Sequence, residues 1–175
     1  MSYCRKANWD DKCERMINSQ IAVEMQAFHT YNALYALFLS DSVGFPGAAE
    51  YFKTAADEEL EHARKFIAYQ NTRGGKVKIE LILQPDLSEL DATDDKEEHS
   101  LLYRAINLAL SLEQKVYSEI LFISKNCGDP GLEDFLDDFI QEQLKGQFEL
   151  GIKLQQLNII GLDGHGLIEY DKTLA

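Results

Sequence analysis

The sequence is poor in residues that break helices or fasten small domains together. It has three prolines, one tryptophan and three cysteines, and Cys4, Cys13 and Cys127 form no C-x-x-C pair. This odd number of scattered cysteines argues against a zinc knuckle or a closed disulfide set and favours a reducing compartment. Because 45% of the 175 residues are hydrophobic, one domain spanning residues 1–175 can bury a sufficient core without such staples.

Positive charge and long apolar runs are also scarce. Seventeen Lys and Arg stand against 30 Asp and Glu, which gives a net charge of −13. Nucleic acids and anionic membranes would be repelled, so neither is a predicted partner, whereas cations would be attracted. An acidic surface that only keeps the protein soluble is the alternative. The first ten residues lack the apolar run of a signal peptide, and no stretch reaches membrane-spanning length, so we predict a cytoplasmic protein.

Four long segments carry apolar residues every three or four positions, the period of a helix packed on one face. They predict α-helices over residues 10–39, 46–72, 94–126 and 130–160, and a short tail helix at about 165–173. Between the second and third helices, segment 76–83 alternates apolar and polar residues and leads to Pro85, which is typical of a long connection. The sequence therefore predicts an all-α four-helix bundle with one long crossover and a short C-terminal fifth helix.

Each long helix has a polar residue on its apolar face. They are Glu24 with Tyr31 seven residues on, Glu59 with His62, Glu113 and Gln143. Glu59 and His62 form an E-x-x-H pair, which places a carboxylate and an imidazole on one helical face. Such a pair is frequent by chance in an acidic helix, but buried carboxylates are costly unless they are paired or bind cations. Agreement among four helices predicts an oxygen-rich metal site suited to di-iron chemistry, with a proton-sharing polar layer as the alternative.

These residues resemble the ferroxidase set of eukaryotic H-type ferritins. The resemblance is carried by Glu24, Tyr31, residues 58–62, 112–113 and 142–143, and by segments 71–75, 129–130 and 166–170. It implies a ferritin-like bundle that oxidises Fe(II) with O2 and stores Fe(III) mineral inside a cage of about two dozen subunits. The cage would consist of identical chains, alone or together with other ferritin chains. Light-type chains lack the full set, so the resemblance implies an active ferroxidase.

The resemblance also implies a ligand for each iron ion. Glu24, Glu59 and His62 would hold the first iron. Glu59 would bridge to a second iron that Glu113 also binds, and Gln143 would orient water or oxygen beside it.

Further roles follow from the same resemblance. Tyr31 would hydrogen-bond a ligand carboxylate, with Glu113 as the expected partner. Asp134 and Asp137 would line a three-fold ion channel, although alone they are an ordinary charged helix start.

Three acids are candidates for iron transit or mineral nucleation: Glu58, Glu61 and Glu142. Arg64 stands where many H-type chains have another acid, which predicts weaker nucleation. The connection is lengthened at residues 91–98, and the tail after Tyr170 is short, which predicts a more open four-fold pore.

Three other classes of protein are alternatives, of which the first two fit less well. A bacterioferritin needs a second E-x-x-H and a haem-binding Met on the second helix, but Glu142 leads to Lys145 and all three Met precede that helix, so no haem is predicted. A di-iron oxidase or reductase usually repeats the E-x-x-H pair and needs a substrate pocket. A cage subunit that only sequesters zinc or calcium would bind cations without consuming oxygen.

Overall fold

The structure is a computed structural model that describes residues 9–90 and 99–174. Within these residues the chain forms five α-helices and a short 3-10 turn, and no strand. The elements are α1 (Asp11–Leu39), α2 (Pro46–Thr72), the 3-10 turn Ser88–Leu90, α3 (Leu101–Cys127), α4 (Pro130–Ile160) and α5 (Gly164–Asp171). Helix α1 packs mainly on α2 and α3 on α4, and α1 also contacts α3. The predicted all-α bundle is therefore confirmed.

Helix α3 begins later than the sequence predicts. Residues 94–98 of the predicted helix lie outside the described residues, and His99 and Ser100 are not helical. Ser100 has an extended backbone, and its hydroxyl accepts a hydrogen bond from the Tyr103 amide at 3.2 Å. This N-cap satisfies a donor of the first turn, so the helix begins at Leu101. The other observed helix ends differ from the predicted ones by at most 2 residues.

The connection between α2 and α3 is anchored along α1. The Asn18 side chain donates to the carbonyl of Lys76 at 3.0 Å and accepts from the amide of Lys78 at 2.9 Å. Further on, Gln26 Oε1 accepts from the amide of Leu83 at 3.0 Å. These bonds supply partners to backbone groups that no helix satisfies. The extended segment 76–83 therefore follows α1, with the apolar side chains of Ile79, Leu81 and Leu83 exposed.

Two apolar clusters fill the bundle, and a layer of polar residues lies between them. On α2, for example, Phe52 belongs to one cluster and Phe66 to the other. The polar residues near the boundary between the two clusters are all buried. They are Glu24 on α1, Glu59 and His62 on α2, Glu113 on α3 and Gln143 on α4. Close packing on both sides restricts the motion of these side chains. The bundle thus holds one polar layer at mid-length.

A disulfide joins Cys13 at the start of α1 to Cys127 at the end of α3. The Cα atoms of the two residues are 5.3 Å apart, a usual separation for a disulfide. The bond contradicts the expectation of no closed disulfide set, because local cysteine spacing carries no information about two residues 114 positions apart. The bond adds a covalent link between the two hairpins and removes the basis for inferring a reducing compartment.

Candidate metal centre

Three predicted ligands converge between α1 and α2. One ligand atom from each of Glu24, Glu59 and His62 lies within 4.8 Å of the others, and all three residues are buried. The spacing of three residues on α2 directs Glu59 and His62 to one face. Ligand atoms bonded at about 2 Å to one divalent ion lie up to about 4 Å apart. A small side-chain adjustment therefore brings all three to a single ion.

Several polar atoms of this layer have no hydrogen-bond partner among the described residues. They are Glu24 Oε2, Glu59 Oε2, His62 Nδ1 and Gln143 Oε1, and each is buried. One unsatisfied buried polar atom costs roughly 1–3 kcal/mol, and native proteins contain few of them. Four such atoms in one layer are the arrangement expected of a candidate cation site, and a proton shared between the neighbouring carboxyl groups of Glu24 and Glu59 is the alternative. Carboxylate and amide oxygens with one imidazole suit a divalent metal of hard to borderline character.

Burial favours the protonated form of the two carboxyl groups in the ligand cluster. It raises the pKa of Glu24 well above its ordinary value of 4.5, and the neighbouring Glu59 carboxylate adds to the rise. Burial also raises the pKa of Glu59 to about 8, with smaller contributions from other acids that include Glu113. A divalent cation favours the ionised carboxylates and must displace these protons. Metal affinity is therefore expected to fall as the pH decreases.

The other predicted residues of the centre line a cavity beside this cluster. The cavity has a volume of about 210 Å³, and its walls include Tyr31, Glu59, His62, Glu113 and Gln143. The Tyr31 hydroxyl donates a short hydrogen bond to Glu113 Oε1, the partner that the resemblance implies. Burial raises the pKa of Tyr31 well above its usual value, so the phenol remains a donor. Glu59 and Glu113 thus face a common space that can accept a second ion.

Exposed carboxylates connect the cavity with solvent between α2 and α4. Of the three acids predicted for transit or nucleation, Glu58 and Glu142 are exposed and line the cavity, whereas Glu61 is exposed but does not line it. Glu142 Oε2 lies 3.4 Å from His62 Nε2. A proton on Nε2 directed at this carboxylate leaves the Nδ1 lone pair free for a metal. An approaching cation would therefore meet Glu142 beside His62.

The two acids predicted for an ion channel lie near the start of α4. Asp134 and Asp137 are both exposed, and their spacing of three residues places them on one side of the helix. Asp134 borders a surface groove that Lys65 and Asp138 also line, and Asp137 does not. A three-fold channel forms only between subunits, so its lining by these residues remains a prediction.

Sequence patterns alone miss three residues of the centre. Gln20 Nε2 donates a hydrogen bond to Glu24 Oε1 at 2.7 Å, and both residues are buried. Tyr51 and Glu149 line the cavity. The only available signal for Gln20 is its position four residues before Glu24, which puts the two side chains on one face of α1.

Known proteins share both the sequence and the fold. The family profile of the Ferritin-like domain matches residues 14–160. The chain is 38% identical over 168 residues to Ferritin-2, chloroplastic, of Zea mays and 40% identical over 174 residues to Ferritin-3, chloroplastic, of Glycine max. These matches cover 94% and 97% of this chain but only 65% of each relative, less than two thirds of its length. A solved ferritin structure from the multicellular green alga Ulva pertusa matches with a TM-score of 0.90 and 34% identity, covering 99% of this chain and 87% of that one.

The names of these relatives contradict the predicted cytoplasmic location, because they describe chloroplastic proteins. That prediction depended on the first ten residues, and a sequence that spans only 65% of such relatives gives no support for it. In the described part of the chain, no helix combines the length and apolar character needed to cross a membrane. The profile match over residues 14–160, the identity with plant ferritins and the shared fold show that this chain belongs to the ferritin family.

Proposed function

We propose that the chain is a catalytic, H-type ferritin subunit. In this proposal it oxidises Fe(II) with O2 at a di-iron site inside the bundle, and the Fe(III) becomes mineral inside an oligomeric cage. The observation that supports this best is the group of buried, unpartnered ligand atoms on Glu24, Glu59, His62 and Gln143. Iron is both substrate and cargo, so the site must bind Fe(II) and then release the Fe(III) that forms.

The two iron positions have different ligands. The first is bounded by Glu24, Glu59 and His62, whose ligand atoms lie within 4.8 Å of one another. The second shares Glu59 as a bridge and adds Glu113, with the neutral amide of Gln143 nearby. A neutral amide stabilises a cation less than a carboxylate does, so the second position binds iron more weakly. Weak binding at this position suits an ion that must leave for the mineral.

Reduction of O2 to hydrogen peroxide requires two electrons delivered at one site. Two Fe(II) ions held side by side give up one electron each to O2, which takes up two protons to form hydrogen peroxide. The chain contributes by holding both ions close together. Tyr31 keeps Glu113 in position through its hydrogen bond.

Assembly and iron uptake form part of the same proposal. A hollow shell of about two dozen subunits would enclose the mineral, and the exposed strip with Ile79, Leu81 and Leu83 offers an apolar contact between copies. Asp134 and Asp137 would attract cations into a channel between subunits. The names of the plant relatives favour a plastid as the compartment.

Oxygen consumption together with particle mass tests the proposal. After aerobic addition of Fe(II), we expect rapid O2 uptake and rising absorbance from a particle of cage size. Glu59→Gln should abolish the fast phase, because it removes the bridging charge, whereas the exposed Glu50→Gln on the same helix should not. Cation binding without O2 uptake would instead support a subunit that only sequesters metal. A monomer by light scattering would exclude storage inside a cage.

A further inference from the structure

Gln20 is a buried polar residue that binds a predicted metal ligand directly. It lies one turn before Glu24 on α1 and is 1% exposed. Its Nε2 donates to Glu24 Oε1 at 2.7 Å. Its own Oε1 has no hydrogen-bond partner among residues 9–90 and 99–174. A glutamine is seldom buried so completely, so the bond to Glu24 gives this position a specific role.

The bond distinguishes the two oxygens of the Glu24 carboxylate. Oε1 accepts the hydrogen bond from Gln20, whereas Oε2 is buried and accepts none from an amide or hydroxyl donor of the described chain, and the carboxyl group of Glu59 lies beside Glu24. A carboxylate held in this way turns one oxygen away from the metal position. Glu24 is then set to bind an ion through Oε2 alone.

A small cavity lies on the other side of Gln20. It has a volume of about 70 Å³ and lies between α1 and α3, where Gln20, Met16 and Phe122 are among its walls. Gln20 therefore borders both this cavity and the Glu24 carboxylate. Without the hydrogen bond, the carboxylate would be free to turn away from Glu59 and His62.

We propose that Gln20 is a positioning residue of the iron centre, which fixes the Glu24 carboxylate so that Oε2 binds the first ion. The inference rests on the proposed function, because it requires Glu24 to be a ligand. It adds a residue outside the predicted ligand set. Residues that orient a metal ligand typically change metal affinity about 10–100-fold when they are replaced.

The test uses Co(II), which binds without reacting with O2 on the time scale of a titration and reports its ligands through visible absorption. Gln20→Met keeps the length of the side chain but removes the amide donor. We expect the first Co(II) equivalent to bind at least about tenfold more weakly, with a changed absorption band, while the second is affected less.

Gln70→Met is the matched control. Gln70 is also a fully buried glutamine, and its Nε2 donates at 2.8 Å to the backbone carbonyl of Glu14, not to a metal ligand. The chemical change is the same, so a general loss of stability would appear in both variants. First-site Co(II) affinity and spectrum should change only in Gln20→Met.

The outcomes separate the inference from the function that it depends on. If the unmodified cage binds two Co(II) per subunit and Gln20→Met does so with the same affinity and spectrum, Gln20 has no positioning role. The proposed function itself fails if the unmodified cage binds no Co(II), or if Glu59→Gln still binds all the Co(II) that the unmodified cage binds. Should Gln20→Met not assemble, a crystal structure of the unmodified cage with Co(II) decides the question. We expect Co(II) on Glu24 Oε2 with the Gln20 bond intact, and metal on Oε1 would overturn the inference.

Discussion

Arg73 and Asp129 form a two-pronged ion pair, with Nη1 2.6 Å from Oδ1 and Nη2 2.6 Å from Oδ2. Arg73 follows the last residue of α2, and Asp129 is the N-cap of α4, so the pair ties one helical hairpin to the other. Both side chains are largely buried, at 13% and 3% exposure. The guanidinium of Arg73 holds the pKa of Asp129 below its ordinary value of 3.8.

Replacing Asp129 by Asn should destabilise the subunit by about 3 kcal/mol, because a buried cation is left without its partner. Asn still serves as an N-cap, so the loss reports on the ion pair rather than on the cap. Calorimetric melting measures the effect. Glu169→Gln breaks an exposed pair with Lys172 and should leave the melting temperature unchanged. Equal melting temperatures for Asp129→Asn and the unmodified protein would show that the pair adds nothing.

Asp171 at the end of α5 caps the start of α2. Its Oδ2 accepts from the amide of Gly47 at 3.0 Å, and its Oδ1 accepts from the amide of Ala48 at 2.7 Å. A carboxylate at a helix N-terminus satisfies free amides and interacts well with the helix dipole. We expect Asp171→Ala to cost about 2 kcal/mol and to speed hydrogen exchange at Gly47 and Ala48. Lys172→Ala, next along the chain, should change neither quantity.

The close approach of α5 to α2 also explains why residue 47 is a glycine. A Cβ atom at this position would lie 1.8 Å from the backbone oxygen of Asp171, far inside contact distance. Gly47→Ala should therefore displace α5 and reproduce the exchange behaviour of Asp171→Ala. Gly146→Ala is the control, because a Cβ there meets no described atom within 4 Å.

The disulfide predicts a defined pattern of thiol reactivity. When the unreduced chain is unfolded and alkylated, Cys13 and Cys127 should remain unmodified, and both should react after reduction. A disulfide that closes a loop of about 100 residues adds up to about 5 kcal/mol of stability. Cys13→Ser should therefore lower the melting temperature of the oxidised protein and leave that of the reduced protein nearly unchanged. Peptide mass mapping that finds both cysteines alkylated before reduction would contradict the bond.

The raised pKa of Glu59 predicts how metal-free protein responds to pH. Between its ordinary value of 4.5 and the folded value of about 8, Glu59 is ionised in the unfolded chain and protonated in the folded one. Unfolding then releases a proton, so this group's contribution to the free energy of unfolding decreases as the pH rises through that interval. Glu59→Gln is neutral at every pH and removes the decrease. Chelator-treated Glu59→Gln should melt above the unmodified protein at pH 8 and close to it near pH 4.5, whereas Glu50→Gln should not show this difference.

Local spacing in the sequence is sufficient to predict the helices and the direction of several buried side chains. Glu24 lies on the apolar face of α1, and the three-residue spacing of Glu59 and His62 sets both on one face of α2. Contacts between distant segments are not encoded in such spacing. The disulfide spans 114 residues and the Asp171 cap spans 123 or 124, so neither follows from periodicity.

Side-chain hydrogen bonds within one helix also cannot be predicted from residue spacing alone. The spacing between Gln20 and Glu24 permits contact, but packing against neighbouring helices decides whether the two side chains turn inward together. The location of the protein in the cell also does not follow from helix packing, because it depends on targeting signals and not on contacts within the bundle.

Crystals of the assembled protein soaked anaerobically in Fe(II) test the central proposal most directly. Anomalous scattering at the iron edge locates the ions and measures their occupancies. We expect two irons per subunit, with one ion bound by Glu24, Glu59 and His62 at high occupancy. The other, shared between Glu59 and Glu113, should have lower occupancy because it has fewer charged ligands. No iron between α1 and α2, or fuller occupancy at Glu113 than at His62, would contradict this account.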